Sequence, residues 1–151
     1  MKKSILIFLP VVTILLFLAS CKKEDSKTRK ELLQENTCWN ASKIEAKNPE
    51  TGLYEDYTDL LLGDACYRDN CYTFNVDGVY KETEGVTKCD PTDEELVATG
   101  TWSISADESN ISITEDSVTR TGKIETLTAD KFVITSTDQS LGGIEIRVTY
   151  E

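Results

Sequence analysis

The sequence predicts an all-β domain, an antiparallel barrel or sandwich of roughly eight short strands. Three observations predict it. From Cys38 onward, apolar and polar residues alternate in short runs, the period of a strand with one buried and one wet face. Turn residues punctuate these runs at Asp77-Gly78, Asp90-Pro91, Asp107 to Asn110, Glu115-Asp116, Ala129-Asp130 and Gly142-Gly143. Helical signal is confined to "EDYTDLLLGDA" (Glu55 to Ala65), where Thr58 or Asp59 is a candidate N-cap and Gly63 a candidate stop.

The strands follow in order. "CWNASKIEA" contributes Trp39 to the first. "CYTFNVDGVY" puts Tyr72 and Phe74 on one face and ends in Asp77-Gly78. Asp-Gly between two β runs is a strong hairpin signal, because glycine tolerates the positive φ of the turn. Trp102 and Ile104 alternate with Thr101, Ser103 and Ser105, and Gly100 ahead of them gives the chain a place to bend. Ile111 and Ile113 alternate with Ser112 and Thr114, and Phe132 and Ile134 do so within "KFVIT". The last run is the clearest: Ile144, Ile146, Val148 and Tyr150 alternate with Glu145, Arg147 and Thr149.

Ahead of these strands the chain carries an address. Met1-Lys2-Lys3 is positive, and Ile5 to Leu18 is apolar except at Thr13, with Pro10 interrupting it. This is the layout of a secretory signal peptide over residues 1–20, and the run is short of the roughly 20 residues that span a bilayer as a helix. Leu18-Ala19-Ser20-Cys21 resembles the lipobox of bacterial lipoproteins. The resemblance implies that Cys21 is lipidated and becomes the mature N-terminus. Lipid chains anchor a protein at about 0.8 kcal/mol per buried CH₂. Residues 21–36 then read as the lipidated cysteine and a charged tether, and 37–151 as the folded domain. "CKKED" looks like the export signal of surface lipoproteins of Bacteroidota, which implies a cell-envelope, outer-membrane location and leaves surface exposure open.

Composition narrows the function. Loss of residues 1–20 would take the net charge from −11 to −13, a surface that repels nucleic acid. The chain contains no histidine, which excludes Ser-His-Asp and Cys-His nucleophilic machinery and His-ligated metal sites. No catalytic residue, metal ligand or cofactor is assigned, and the reading is non-enzymatic. The acidic stretch "CDPTDEE" (Cys89 to Glu95) lacks the spaced oxygens and glycine of a calcium loop.

Cys38, Cys66, Cys71 and Cys89 remain after Cys21. In an oxidising compartment they predict two disulfides; a four-cysteine zinc site would want C-x-x-C knuckles, which are missing. A two-residue Asp77-Gly78 loop pairs positions whose numbers sum to 155, as those of Cys66 and Cys89 do, while a three-residue loop with a glycine bulge pairs Phe74 with Tyr80 and keeps the aromatics together. In either register, extending the ladder brings Cys66 within one residue of facing Cys89. Cys38 and Cys71 both take outward parity. The expected bridges are Cys66–Cys89 and Cys38–Cys71.

The order "LLLGDACYRDNCYTFNVDGVY", "GVTKCDP", "GTWSIS", "ISIT" and "IETLTADKFVIT" after a tryptophan-bearing first strand resembles the lipocalin-like domain of Bacteroidota lipoproteins, over about Glu31 to Glu151. The resemblance implies a single eight-stranded up-and-down β-barrel on a lipid tether, with Cys66 and Cys89 as the recurring cysteine pair. It implies no particular ligand.

Trp39, Tyr72, Phe74, Tyr80, Trp102 and Phe132 are the candidate lining of a ligand cavity; the alternative is that they fill the barrel. Trp39 and Trp102 are expected as core. Ser117 lies in Asp116-Ser117-Val118, which resembles a bacterial O-glycosylation sequon. The leading functional reading is a membrane-tethered, non-enzymatic module for a small apolar or amphipathic ligand. The alternatives are a protein-binding accessory lipoprotein of an outer-membrane complex and an enzyme inhibitor. The sequence assigns no oligomeric state.

Overall fold

A computed structural model describes residues 27–151 of the chain. The signal segment and Cys21 lie outside the described residues. The elements are α1 (Arg29–Glu35), β1 (Ala41–Lys47), β2 (Tyr54–Asp56), α2 (Thr58–Leu61), α3 (Ala65–Arg68), β3 (Cys71–Phe74), β4 (Val79–Thr83), β5 (Leu96–Ile104), β6 (Asn110–Glu115), β7 (Val118–Leu127), β8 (Phe132–Asp138) and β9 (Ile144–Tyr150). All strand pairs are antiparallel, in one sheet of order β2-β1-β9-β8-β7-β6-β5-β4-β3.

The sheet bears out the all-antiparallel architecture of about eight strands, with one addition and one correction. It has nine strands, because Tyr54–Asp56 adds a short strand beside β1. The ladder also does not close continuously. The edges meet at one antiparallel bridge, Trp39 with Tyr72, in which each backbone N–H donates to the other's carbonyl at 3.0 and 2.9 Å. β2 pairs with Glu45–Lys47 on that edge of β1, and Tyr57 and Thr58 bond to Ile44 beside it, so β3 is left without a long partner there. The result is a rolled sheet, open along part of one seam.

The charged run read as tether is in part structured. Thr28 caps α1 by a capping box: its hydroxyl accepts from Glu31 N–H at 3.2 Å, and Glu31 Oε2 accepts from Thr28 N–H at 2.8 Å. These bonds to Thr28 hold the Glu31 carboxyl below the usual range. Leu33 then enters the core with no exposed surface. The Arg29 guanidinium donates to the carbonyl of Glu108 at 2.9 Å, and Glu108 Oε2 accepts from the Arg29 N–H at 3.0 Å. Residues 28–35 therefore cover one end of the rolled sheet instead of linking it to something else.

The expected single helix at Glu55 to Ala65 resolves into β2, α2 and α3. Thr58 is the first residue of α2, not its cap. Its hydroxyl accepts from Ile44 N–H at 3.0 Å, which ties α2 to β1.

The hairpin register is Phe74 opposite Tyr80, with Gly78 at φ 81°. The ladder ends at Cys71 opposite Thr83, so Cys66 and Cys89 do not face each other across strands. Their disulfide instead joins α3 to the loop after β4, with Cα atoms 5.2 Å apart. Cys38 and Cys71 are joined next to the Trp39–Tyr72 bridge, with Cα atoms 5.0 Å apart. Both separations lie in the usual disulfide range. At Gly100 the need is space more than a bend: a Cβ there would lie 2.2 Å from the carbonyl oxygen of Thr114 on the neighbouring strand.

Candidate functional site

The inward faces of the strands make two different interiors. The first lies under α1, at the end formed by the β3–β4, β5–β6 and β7–β8 turns. Trp39, Phe74, Trp102 and Phe132 meet there with Leu33, Ile111 and Ile124, all buried. Trp39 packs edge-on to Phe132 with centroids 5.8 Å apart, and Phe74 packs edge-on to Trp102 at 5.6 Å, the geometry the ring quadrupoles prefer. Both indole N–H groups are satisfied. Trp39 Nε1 donates to Leu33 O at 3.1 Å, and Trp102 Nε1 to Asn75 O at 3.0 Å. This end is filled.

The second interior lies toward the β6–β7 and β8–β9 turns. It holds a cavity of about 240 Å³, walled by Ile111, Ile113, Ile134 and Val148 with Tyr80 and Tyr150 on one side. Glu115, Arg120 and Ser136 line it nearer the turns. Gly122, where a Cβ would already lie 3.3 Å from the Thr135 carbonyl oxygen, contributes to that space. It stands opposite Ile111 at an inward position of β7, and supplies no side chain.

Three tyrosines separate the two interiors. Tyr72 lies between Tyr80 and Tyr150, with centroids 6.4 and 5.3 Å away, and Tyr150 stacks on Phe132 at 5.4 Å. The Tyr72 hydroxyl donates to Glu82 Oε1 at 3.1 Å, which also accepts from Asn70 Nδ2 at 3.1 Å. Burial, then the charge of Glu82, pushes all three phenols above their usual range. They remain neutral hydroxyls at any physiological pH.

Of the six aromatics singled out in the sequence, only Tyr80 lines this cavity. Trp39, Phe74, Trp102 and Phe132 are plug, and Tyr72 is half-buried behind Tyr80 and Tyr150. The residues missed include Ile111, Ile113, Ile134, Val148 and Tyr150 on the walls, Gly122 beside them, and Glu115, Arg120 and Ser136 nearer the turns. Their inward parity was readable for β6, β8 and β9; their position along the strand was not. Ser117 sits with Asp116 in the two-residue β6–β7 turn, at φ 67° and 46°, exposed.

A larger groove, about 440 Å³, runs over the outer face of β1, β9, β8 and β7. Its charges are mutually satisfied. Glu45 accepts from Arg147 Nε at 2.7 Å and from Lys43 Nζ at 2.8 Å. The Arg147 guanidinium lies over the Tyr54 ring at 3.8 Å, and the Tyr54 hydroxyl donates to Glu145 at 2.5 Å. The Arg147 hydrogen bond holds the Glu45 carboxyl below the usual range. Burial, followed by the bond to Glu145, pushes Tyr54 up to about 12. The groove is polar and open to water, so the interior cavity is the better candidate.

The lipocalin-like domain family matches residues 35–134 of the chain. The chain belongs to that family. No curated protein matches this lipocalin-like chain. Among solved structures, bovine odorant-binding protein in complex with a selenium-containing odorant is similar at 14% identity and a TM-score of 0.41. The match covers 85% of this chain and 74% of that one.

Proposed function

We propose that this lipocalin-like chain is a non-enzymatic binding module that takes a small amphipathic molecule at the hollow end of its rolled sheet. The observation that carries this reading is the aliphatic cavity of about 240 Å³ with tyrosines on one wall. Small barrels either fill their interiors or hold one small ligand; here one end does each. The test is native mass spectrometry of the protein purified from its own cells. A co-purified small molecule supports the reading, and its loss in a Gly122→Val variant locates it. A protein subunit co-purifying in its place would favour an accessory role, to which exposed Leu53, Leu60 and Leu61 near α2 lend support.

The binding module is also proposed to be held at the outer membrane of the cell envelope by lipid on Cys21. The point where the tether joins the domain then follows from α1. Arg29, eight positions after Cys21, is bonded to the turn between β5 and β6 at the filled end. An extended chain of that length reaches at most about 29 Å. The tether would therefore leave the domain at the filled end, opposite the cavity. Cys21→Ala should abolish labelling by fatty acid and shift the protein from the membrane fraction to the soluble one. Equal membrane recovery of both forms would remove the anchor from the proposal.

A further inference from the structure

The volume of the cavity and the few polar groups around it restrict what it takes. An apolar protein cavity of about 150 Å³ accepts one benzene molecule. By proportion, the 240 Å³ here admits roughly ten non-hydrogen atoms. A long-chain fatty acid would have to leave most of its chain outside, in water. Ile111, Ile113, Ile134 and Val148 offer no hydrogen bonds, so the body of the ligand is hydrocarbon.

Tyr80 and Tyr150 supply the polar recognition. Tyr80 is only 5% exposed, and both tyrosines line the cavity. Neither hydroxyl has a hydrogen-bond partner among the described residues. Tyr72 differs, because its hydroxyl is engaged by Glu82. Neither the Tyr80 nor the Tyr150 oxygen is among the buried polar atoms left without a partner, so both are open to water, and a ligand that takes the water's place must offer an acceptor of its own. The surrounding charges favour a neutral partner. Glu115 is paired with Arg120 at 3.4 Å, and the Arg120 side chain is itself 71% exposed. That leaves no free buried cation among the lining residues to receive a carboxylate, and Glu115 and Glu82 repel one. For an ammonium group the nearest anions are already engaged: Glu115 by Arg120, Glu82 by Tyr72 and Asn70. Both phenols are held in their neutral form, which donates.

We infer that the cavity selects a compact, uncharged molecule of roughly ten non-hydrogen atoms, mostly hydrocarbon, whose carbonyl or ether oxygen accepts from Tyr80 and Tyr150. This rests on the binding reading above and adds a ligand class to it.

Three size-matched probes separate the possibilities: acetophenone carries a carbonyl, cumene none, and benzoate a charge. Palmitate tests length. Calorimetric titration of the full processed protein should show acetophenone binding roughly tenfold more tightly than cumene or benzoate, with no binding of palmitate; one well-placed hydrogen bond supports a factor of that order. Tyr80→Phe and Tyr150→Phe should each weaken acetophenone about three- to tenfold and leave cumene unchanged, with melting curves confirming that both variants are folded. Gly122→Val, shown to be folded by the same melting curves, should block both probes. Equal affinity for acetophenone and cumene, unaffected by the Phe substitutions, would overturn the ligand class while leaving a binding site in place. So would a preference for benzoate or palmitate. If no probe binds and Gly122→Val changes nothing, the binding reading itself falls.

Discussion

Along β8 the inward residues run Phe132, Ile134, Ser136; along β7, in the same direction, they run Ile124, Gly122, Arg120. Both sequences start at the end covered by α1 and finish at the far turns. In each the side chain first fits a packed core, then shrinks or turns aliphatic, then becomes polar. The two ends of one sheet thus differ in kind. The end under α1 is solid with aromatic rings whose N–H groups are satisfied, and contributes stability. The far end keeps aliphatic walls, a missing side chain at Gly122 and unpartnered phenols, and offers room for a ligand. A core that filled both ends would be more stable and would bind nothing.

The sharpest way to break this comparison is to truncate the plug. Trp39 has no exposed surface, and its indole N–H holds α1 through Leu33. Trp39→Ala should destabilise by roughly 3–5 kcal/mol, read by chemical denaturation. A loss below about 1 kcal/mol would mean that this end is not the packed one. The disulfides come next. Removing either by paired Cys→Ser substitution should cost about 2–4 kcal/mol. The Cys38–Cys71 pair, 33 residues apart against 23 for Cys66–Cys89, should cost slightly more. Equal or reversed costs would show that strain or residual structure, not loop length, dominates.

Acid should act on the outer wall more than on the plug. Glu45 is held below its ordinary value of 4.5 by Arg147. Its contribution is therefore fully present above about pH 4.5 and is lost as pH falls through its lower folded value. Glu45→Gln should flatten that part of the acid limb in denaturation measured from pH 6 to about 3; an unchanged limb would place the acid sensitivity elsewhere. The smallest effect is expected at the hollow end. Tyr80→Phe removes a hydroxyl with no partner and keeps the ring, so stability should change by less than about 1 kcal/mol. A larger loss would reveal that the hydroxyl belongs to the fold, and would move Tyr80 from the cavity wall into the plug.

Much of the domain was legible one strand at a time. The alternation through Ile144, Ile146, Val148 and Tyr150 marked β9 and its inward face, and Asp77-Gly78 marked the β3–β4 hairpin and limited its register to two choices, of which the structure takes Phe74 opposite Tyr80. Period two is a property of the local backbone, so it survives without knowledge of neighbours. α1 was also legible: Thr28-Arg29-Lys30-Glu31 followed by Leu32-Leu33 is a capping-box pattern before apolar residues. It was missed because a short, charged helix has the composition of a solvated linker, and its stability comes from docking Leu33 into the core.

Other features had no local signature. The short β2 exists because Tyr54–Asp56 can pair with β1, and the Cys66–Cys89 bridge depends on where α3 and the loop after β4 are carried. Parity placed Tyr80 and Trp102 on the same inward surface, yet one faces a void and the other fills the plug. That distinction is set by height along the rolled sheet, which depends on the register of every strand between them. A cavity is atoms missing from several strands at once. Alternation within each strand names the side chains that point inward; the space they leave unfilled arises only when the strands are assembled.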